Sequence, residues 1–147
     1  MTQQLLLIAA ATLVALGACT EGGELASDAS PALPEPAAVR CAEAPQLRQF
    51  ALNQRRAIAE LRSDQQRIYA GQRANFVASL AIIAELNCES ARAEADSALQ
   101  EAFQAAREAE ANPGSFYSSA SRWADANYFA SQVIVLLMQP PPEPPAA

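Results

Sequence analysis

Residues 61–68 read LRSDQQRI, and this stretch decides how many helices the chain forms. Ser63 and Gln66 have the spacing of a capping box, which starts a new helix by satisfying its first backbone N–H groups. Against a break, Leu61 and Ile68 lie seven residues apart and would continue one apolar helix face without interruption. One long helix and two shorter ones therefore both remain open.

The sequence on both sides of this stretch is helical in pattern, from residue 45 to residue 138. Alanine, the strongest helix former, is abundant, and glycine is scarce, with 5 residues. Apolar residues recur at helical spacings in three groups: Leu47, Phe50, Ala57, Ile58, Leu61, Ile68, Phe76, Leu80, Ile83 and Leu86; Ala91, Ala95, Ala98, Leu99, Ala102, Phe103, Ala106 and Ala109; Phe116, Ala120, Trp123, Ala130, Ile134 and Leu137. Asn112-Pro113-Gly114 ends the second group. We predict an all-α fold, a small antiparallel helical bundle of three to four helices.

Charge divides the first two groups. Six arginines lie between residues 47 and 80 against two acidic residues, whereas seven acidic residues lie between 85 and 110 against two arginines. A basic helix beside an acidic one suits an antiparallel hairpin, although surface ion pairs each contribute at most about 1 kcal/mol. Two independently solvated faces are an equally good interpretation.

The chain begins with an apolar run from Leu5 to Leu16. Its dozen or so residues are too few to span a bilayer, which takes about 20, and match the hydrophobic region of an export signal. The small residues Gly17 and Ala18 follow where cleavage is expected. The preceding MTQQ carries no arginine or lysine, so the usual positive charge rests on the α-amino group alone.

Leu16-Gly17-Ala18-Cys19 resembles the lipobox of bacterial lipoproteins, an aliphatic residue and two small residues before a cysteine. The resemblance implies a diacylglyceryl group on the Cys19 thiol, signal cleavage between Ala18 and Cys19, and membrane attachment through the lipid. Thr20 stands where an aspartate would favour retention at the inner membrane. The resemblance therefore implies an outer-membrane lipoprotein of the cell envelope that faces the periplasm.

These patterns divide the chain into four parts. Residues 1–18 are the predicted signal peptide. Residues 19–44, rich in Gly, Ser, Pro, Ala and Glu without apolar periodicity, are expected to be a flexible tether after the lipidated cysteine. Residues 45–138 form the helical domain. Residues 139–147 are expected to be a disordered, proline-rich tail biased towards the polyproline II conformation.

With Cys19 lipidated, Cys41 and Cys88 remain as a candidate disulfide in an oxidising compartment. One unbroken helix from residue 45 to 87 would hold them about 60 Å apart, whereas a disulfide needs Cα atoms within about 7 Å. A break at Ser63 would bring them to the same end of a four-helix bundle. Gly71 is a less favourable place for the break, because the two helices would be more unequal in length.

The composition argues against several kinds of function. All ten basic residues are arginine, histidine is absent, and the net charge is −6. The acidic balance disfavours nucleic-acid binding. Without histidine or lysine, general acid–base, Schiff-base and most metal chemistry lose their usual side chains. We expect a protein that is not an enzyme, with no cofactor, no metal site and no evident small-molecule substrate.

Three aromatic residues, Trp123, Tyr128 and Phe129, are candidates to line a small apolar groove. Aromatic residues at helical spacing more commonly belong to the core, and that interpretation is the stronger one. The hexapeptide VIVLLM at residues 133–138 is far too short for a membrane span and is expected to be a buried helix end.

Two functions fit these expectations. The first is a non-catalytic, membrane-anchored envelope lipoprotein that acts as an interaction, assembly or scaffold module and docks onto a protein partner. The second is a stress- or metal-responsive periplasmic hairpin, because Leu61-Arg62-Ser63-Asp64-Gln65 is similar to the LTxxQ element of Spy/CpxP-like proteins. Arg62 replaces the threonine of that element, and no second copy of it occurs.

Overall fold

The computed structural model describes residues 31–112 and 116–140. This part of the chain contains four α-helices: α1 (Ala44–Ile58), α2 (Asp64–Leu86), α3 (Ala93–Ala111) and α4 (Phe116–Met138). Two short 3₁₀ turns, Pro36–Ala38 and Cys41–Glu43, precede α1. No strand occurs among the described residues, and the all-α prediction is confirmed.

The helix break lies at Ser63. The backbone of Ser63 is extended, and its Oγ accepts a hydrogen bond from the backbone N–H of Gln66 at 3.4 Å. The Ser63 cap therefore prevails over the continuous apolar spacing, and Gly71 lies inside α2. Because α2 begins independently of α1, the seven-residue spacing from Leu61 does not continue one face. Ile68 is consequently exposed, contrary to its predicted place on the core face.

The four helices alternate in direction. Arg48 near the start of α1 pairs with Glu85 near the end of α2, so α1 and α2 are antiparallel. Ser90, after α2, donates to the carbonyl of Leu137 at 3.0 Å, which places the end of α4 beside the α2–α3 turn. Helix α2 packs against both α1 and α4, and α3 packs mainly against α4. The confirmed architecture is thus a small antiparallel bundle in which α2 and α4 lie between α1 and α3.

A cluster of aromatic rings joins α2, α3 and α4. Phe76 of α2 contacts Phe103 of α3 edge-on, with ring centroids 5.6 Å apart. Trp123 of α4 is fully buried and lies 5.9 Å from the rings of both Phe76 and Tyr69. Edge-on aromatic pairs contribute about 0.5–1.5 kcal/mol each beyond the area that they bury. Ala102, Phe103 and Ala106 of α3 are all buried. Because the two alanines have small side chains, α3 can approach the cluster closely.

Residues 31–43, which we call the lead-in segment, lie against the bundle. The sequence predicts a flexible tether over residues 19–44, and this prediction is wrong for the part that the structure describes. Val39 is buried in the core and Leu33 packs against it. The segment is not helical along its length, so its apolar residues do not recur at helical spacings. For this reason the apolar periodicity of the sequence does not reveal Val39 and Leu33 as core contacts. The remaining tether residues, 19–30, lie outside the described part of the chain.

Candidate functional site

The predicted cysteine pair forms a disulfide. Cys41 of the lead-in segment and Cys88 after α2 are bonded, with Cα atoms 4.8 Å apart and a sequence separation of 47. Both residues are exposed. The amide of Asn87 donates to the carbonyl of Val39 at 3.2 Å beside the bond. We call this the disulfide end of the bundle, and the opposite one the Ser63 end.

A buried arginine holds the other end of the lead-in segment. Arg73 of α2 is 3% exposed, and its guanidinium donates to Glu110 of α3 at 2.9 Å and to Gln54 of α1 at 2.6 Å. It also donates to the backbone carbonyl of Pro31 at 2.5 Å. One side chain thus links two helices and the lead-in segment to α2. Because its hydrogen-bonding groups are engaged inside the protein, we assign Arg73 a structural role.

The structure does not bring the three predicted groove aromatics together. Trp123 is fully buried in the core, whereas Tyr128 is 60% exposed. Phe129 is partly buried and contacts Tyr128 with ring centroids 5.6 Å apart. Five residues along a helix turn the side chain by about 140°, so Trp123 and Tyr128 point to different sides of α4. The predicted groove is therefore absent from these positions, and Trp123 belongs to the core.

A groove open to solvent lies between α1 and α2. Its volume is about 360 Å³. It is lined by Arg48, Ala51, Leu52 and Arg55 of α1 and by Ala78, Ala81, Ile82 and Glu85 of α2. We call it the outer groove. Leu52 is 43% exposed and Ile82 is 46% exposed, so each wall of the groove presents one large apolar side chain to solvent.

The charges around the outer groove are mainly positive. Helix α1 contains Arg48, Arg55 and Arg56 and no acidic residue. Arg48 is bonded to Glu85, which belongs to the opposite wall. For Arg55, the described residues provide no ion-pair partner. On the far side of the bundle, α3 carries the exposed acidic residues Glu94, Asp96, Glu101 and Glu108.

A larger cleft of about 580 Å³ lies between the lead-in segment and α3. Its walls include Pro36, Val39 and Arg40 on one side and Asp96 and Leu99 on the other. Arg40 and Asp96 are exposed and of opposite charge. This cleft therefore offers no concentrated charge, and its lining includes none of the large apolar side chains that are exposed among the described residues.

Cys19 and Ala18, the predicted lipidation and cleavage residues, lie outside the described residues. Within residues 31–112 and 116–140, no helix combines the length and apolar character needed to cross a bilayer, and no cluster of acidic and cysteine side chains is arranged to hold a metal ion. Comparison with known protein families, curated proteins and solved structures found no match to this chain.

Sequence reasoning missed the outer groove because it assigned periodic apolar residues to the core. The signal that could have found it is the run Leu80-Ala81-Ile82-Ile83-Ala84, which has no polar residue in five positions. Five consecutive residues cover every side of a helix, so such a run must present some apolar side chains away from the core. Ile82 is the one that points outward.

Proposed function

We propose that this chain is a lipid-anchored lipoprotein of the outer membrane, whose helical bundle is a non-catalytic module that docks onto a protein partner in the envelope. The anchor rests on Leu16-Gly17-Ala18-Cys19, as in bacterial lipoproteins. Docking is supported by one observation above all, the exposed Leu52 and Ile82 in the outer groove. Contiguous apolar surface that is left exposed on a folded domain marks interaction sites.

The path of the lead-in segment supports a domain held close to the membrane. Pro31 is bonded to Arg73, near the Ser63 end, and residues 20–30 separate it from Cys19. Fully extended, these residues reach up to about 40 Å. The bundle, whose longest helices have 23 residues, is about 35 Å long. Any face of the domain is therefore within reach of a component of the same membrane.

The anchor is tested by metabolic labelling with radioactive palmitate. We expect the full chain to incorporate label and to sediment with membranes, and the Cys19→Ser variant to do neither. Cys88→Ser serves as the matched control, because it removes a thiol without touching the lipobox. Equal labelling of the Cys19→Ser variant would overturn the assignment of the anchor.

Docking is tested with the lipidated protein purified from detergent-solubilised envelope. We expect one defined protein complex to co-purify, and mass spectrometry to identify it. The Ile82→Glu variant should lose that complex. Recovery of no specific partner, together with measurable protection of unfolded client proteins, would instead favour the Spy/CpxP-like function.

A further inference from the structure

Helix α2 is apolar on more sides than its neighbours cover. Leu80 and Ile83 point into the core and are fully buried. Ile68 and Ile82 are nearly half exposed, and they lie two heptads apart on the outer side of the same helix. Asn75 lies midway between them and is exposed as well, but from Leu80 to Ala84 the helix is apolar on every side, and such a helical segment is normally covered all round. The outer side of α2 therefore presents apolar side chains of the kind that pack against another helix.

The shape of the outer groove favours a helix as that neighbour. Alanines at positions 51, 78 and 81 contribute small side chains to its lining, and Leu52 and Ile82 contribute large ones. From Arg48 to Arg55 it runs for about 10 Å, or two turns of helix. Small residues between two packed helices allow the backbone of a third helix to approach closely, and its side chains fit the furrow as ridges. A flat bilayer surface does not enter such a furrow.

The charges specify the kind of helix. Arg48 is already paired with Glu85, whereas Arg55 at the other end of the groove has no ion-pair partner among the described residues. An acidic side chain on the incoming helix would satisfy Arg55 without repulsion from α1, which has no acidic residue. A basic helix would instead be repelled by Arg55 and by the exposed Arg56.

We propose that the outer groove binds one amphipathic helix of an envelope protein. Its apolar residues, spaced by three, four and seven, pack between Leu52 and Ile82, and an acidic residue on its edge pairs with Arg55. This inference rests on the proposed docking function and names the class of partner.

The test places a photoreactive benzoylphenylalanine at position 82 of the full, lipidated chain in cells. The matched control carries it at Gln104, an exposed polar position on α3 that lies on the opposite side of the bundle. After irradiation, the cross-linked peptides are sequenced. We expect position 82 to capture a segment of another protein with an amphipathic helical pattern and acidic residues, at a yield well above that of position 104.

Charge variants then test the role of Arg55. In an Arg55→Glu background the yield at position 82 should fall roughly five- to tenfold, since an attractive surface pair becomes a repulsive one. Arg55→Lys should keep most of the yield. Arg62→Glu, which changes an exposed arginine in the α1–α2 turn outside the groove, should leave it unchanged.

Each other result at position 82 overturns the proposal. Capture of phospholipid would identify a bilayer contact, and capture of a second copy of this chain would identify a dimer. A basic or non-helical partner segment would contradict the assigned chemistry. Capture of protein at position 104 alone would keep the docking function and reject this groove, whereas no capture at either position, with palmitate labelling intact, would reject docking and keep the anchor.

Discussion

The two sides of α2 carry similar apolar residues in opposite surroundings. Ile83 is fully buried against the rest of the bundle, whereas its neighbour Ile82 is 46% exposed in the outer groove. On the inner side, aromatic rings, the disulfide-linked lead-in segment and Arg73 close the structure. On the outer side, the groove that α2 forms with α1 is open to solvent. The same residue type thus stabilises the fold on one side of α2 and is available for recognition on the other.

Alanine substitution of the two adjacent isoleucines should separate these roles most strongly. Ile83→Ala leaves a cavity in a closed core, and we expect the free energy of unfolding to fall by about 3–4 kcal/mol. Ile82→Ala removes a half-exposed side chain and should lower it by less than about 1 kcal/mol. Urea denaturation of both variants measures the difference. Equal losses would mean that the two sides of α2 are not distinct.

The Ser63 cap and the cysteine pairing were within reach of sequence reasoning because both rest on local chemistry and simple geometry. Ser63 and Gln66 supply a helix start, and the break that they create is what allows Cys41 and Cys88 to meet. The buried face of α3 was predicted for the same kind of reason, because alanines that recur at helical spacing all lie on one side of the helix. All of these features depend on short spacings that can be counted along the chain.

The lead-in segment and the outer groove were not within reach of that reasoning. Val39 is buried through contacts with residues far away in sequence, and no regular spacing of apolar residues around it indicates that it is buried. Ile82 differs from Ile83 only by the side of α2 to which it points, and that depends on where α1, α3 and α4 pack. Tertiary packing decides both features, and the sequence pattern of a single element does not reveal how the elements pack together.

Removing the disulfide tests what keeps the inner side of α2 closed. Changing both Cys41 and Cys88 to serine should lower the free energy of unfolding by about 2–4 kcal/mol, because the unfolded chain gains the freedom of a long loop. The bond spans 47 residues. Denaturation of the wild-type protein with and without a reducing agent should reproduce the same loss. A change below about 1 kcal/mol would show that packing of the lead-in segment suffices without the bond.

The buried ion pair between Arg73 and Glu110 lies on the same side of α2. Removing it should lower the free energy of unfolding by a smaller amount, which depends on the partner that is removed. Glu110→Ala leaves the buried guanidinium of Arg73 without its carboxylate, and we expect a loss of about 2 kcal/mol, moderated because the Glu110 side chain is 33% exposed. Arg73→Met should cost less, since methionine is apolar and Glu110 can hydrate. The double variant should be no worse than Glu110→Ala alone. A larger loss for Arg73→Met would show that the bonds to Gln54 and Pro31 matter more than the ion pair.

The start of α2 can be weakened without touching either side of the helix. Ser63→Ala removes the acceptor for the backbone N–H of Gln66 and should lower the free energy of unfolding by about 1 kcal/mol. Ser63→Asp should retain most of the stability, because aspartate is an equally good cap. Thermal unfolding followed by circular dichroism measures both. If Ser63→Ala has no effect, the break is maintained by packing of α1 and α2 rather than by the cap.

The smallest effect on stability should accompany the largest effect on recognition. Ile82→Glu places a charge where a side chain is already half in water, so the free energy of unfolding should change by less than about 0.5 kcal/mol. The same change should abolish binding of an acidic helix, because it adds negative charge beside Leu52 and removes an apolar contact. Ile82→Arg should preserve the favourable charge and retain some binding. Co-purification from detergent-solubilised envelope, beside urea denaturation, measures both quantities. If Ile82→Glu unfolds the bundle, the outer side of α2 is part of the core after all; if it leaves the partner bound, recognition lies on another face.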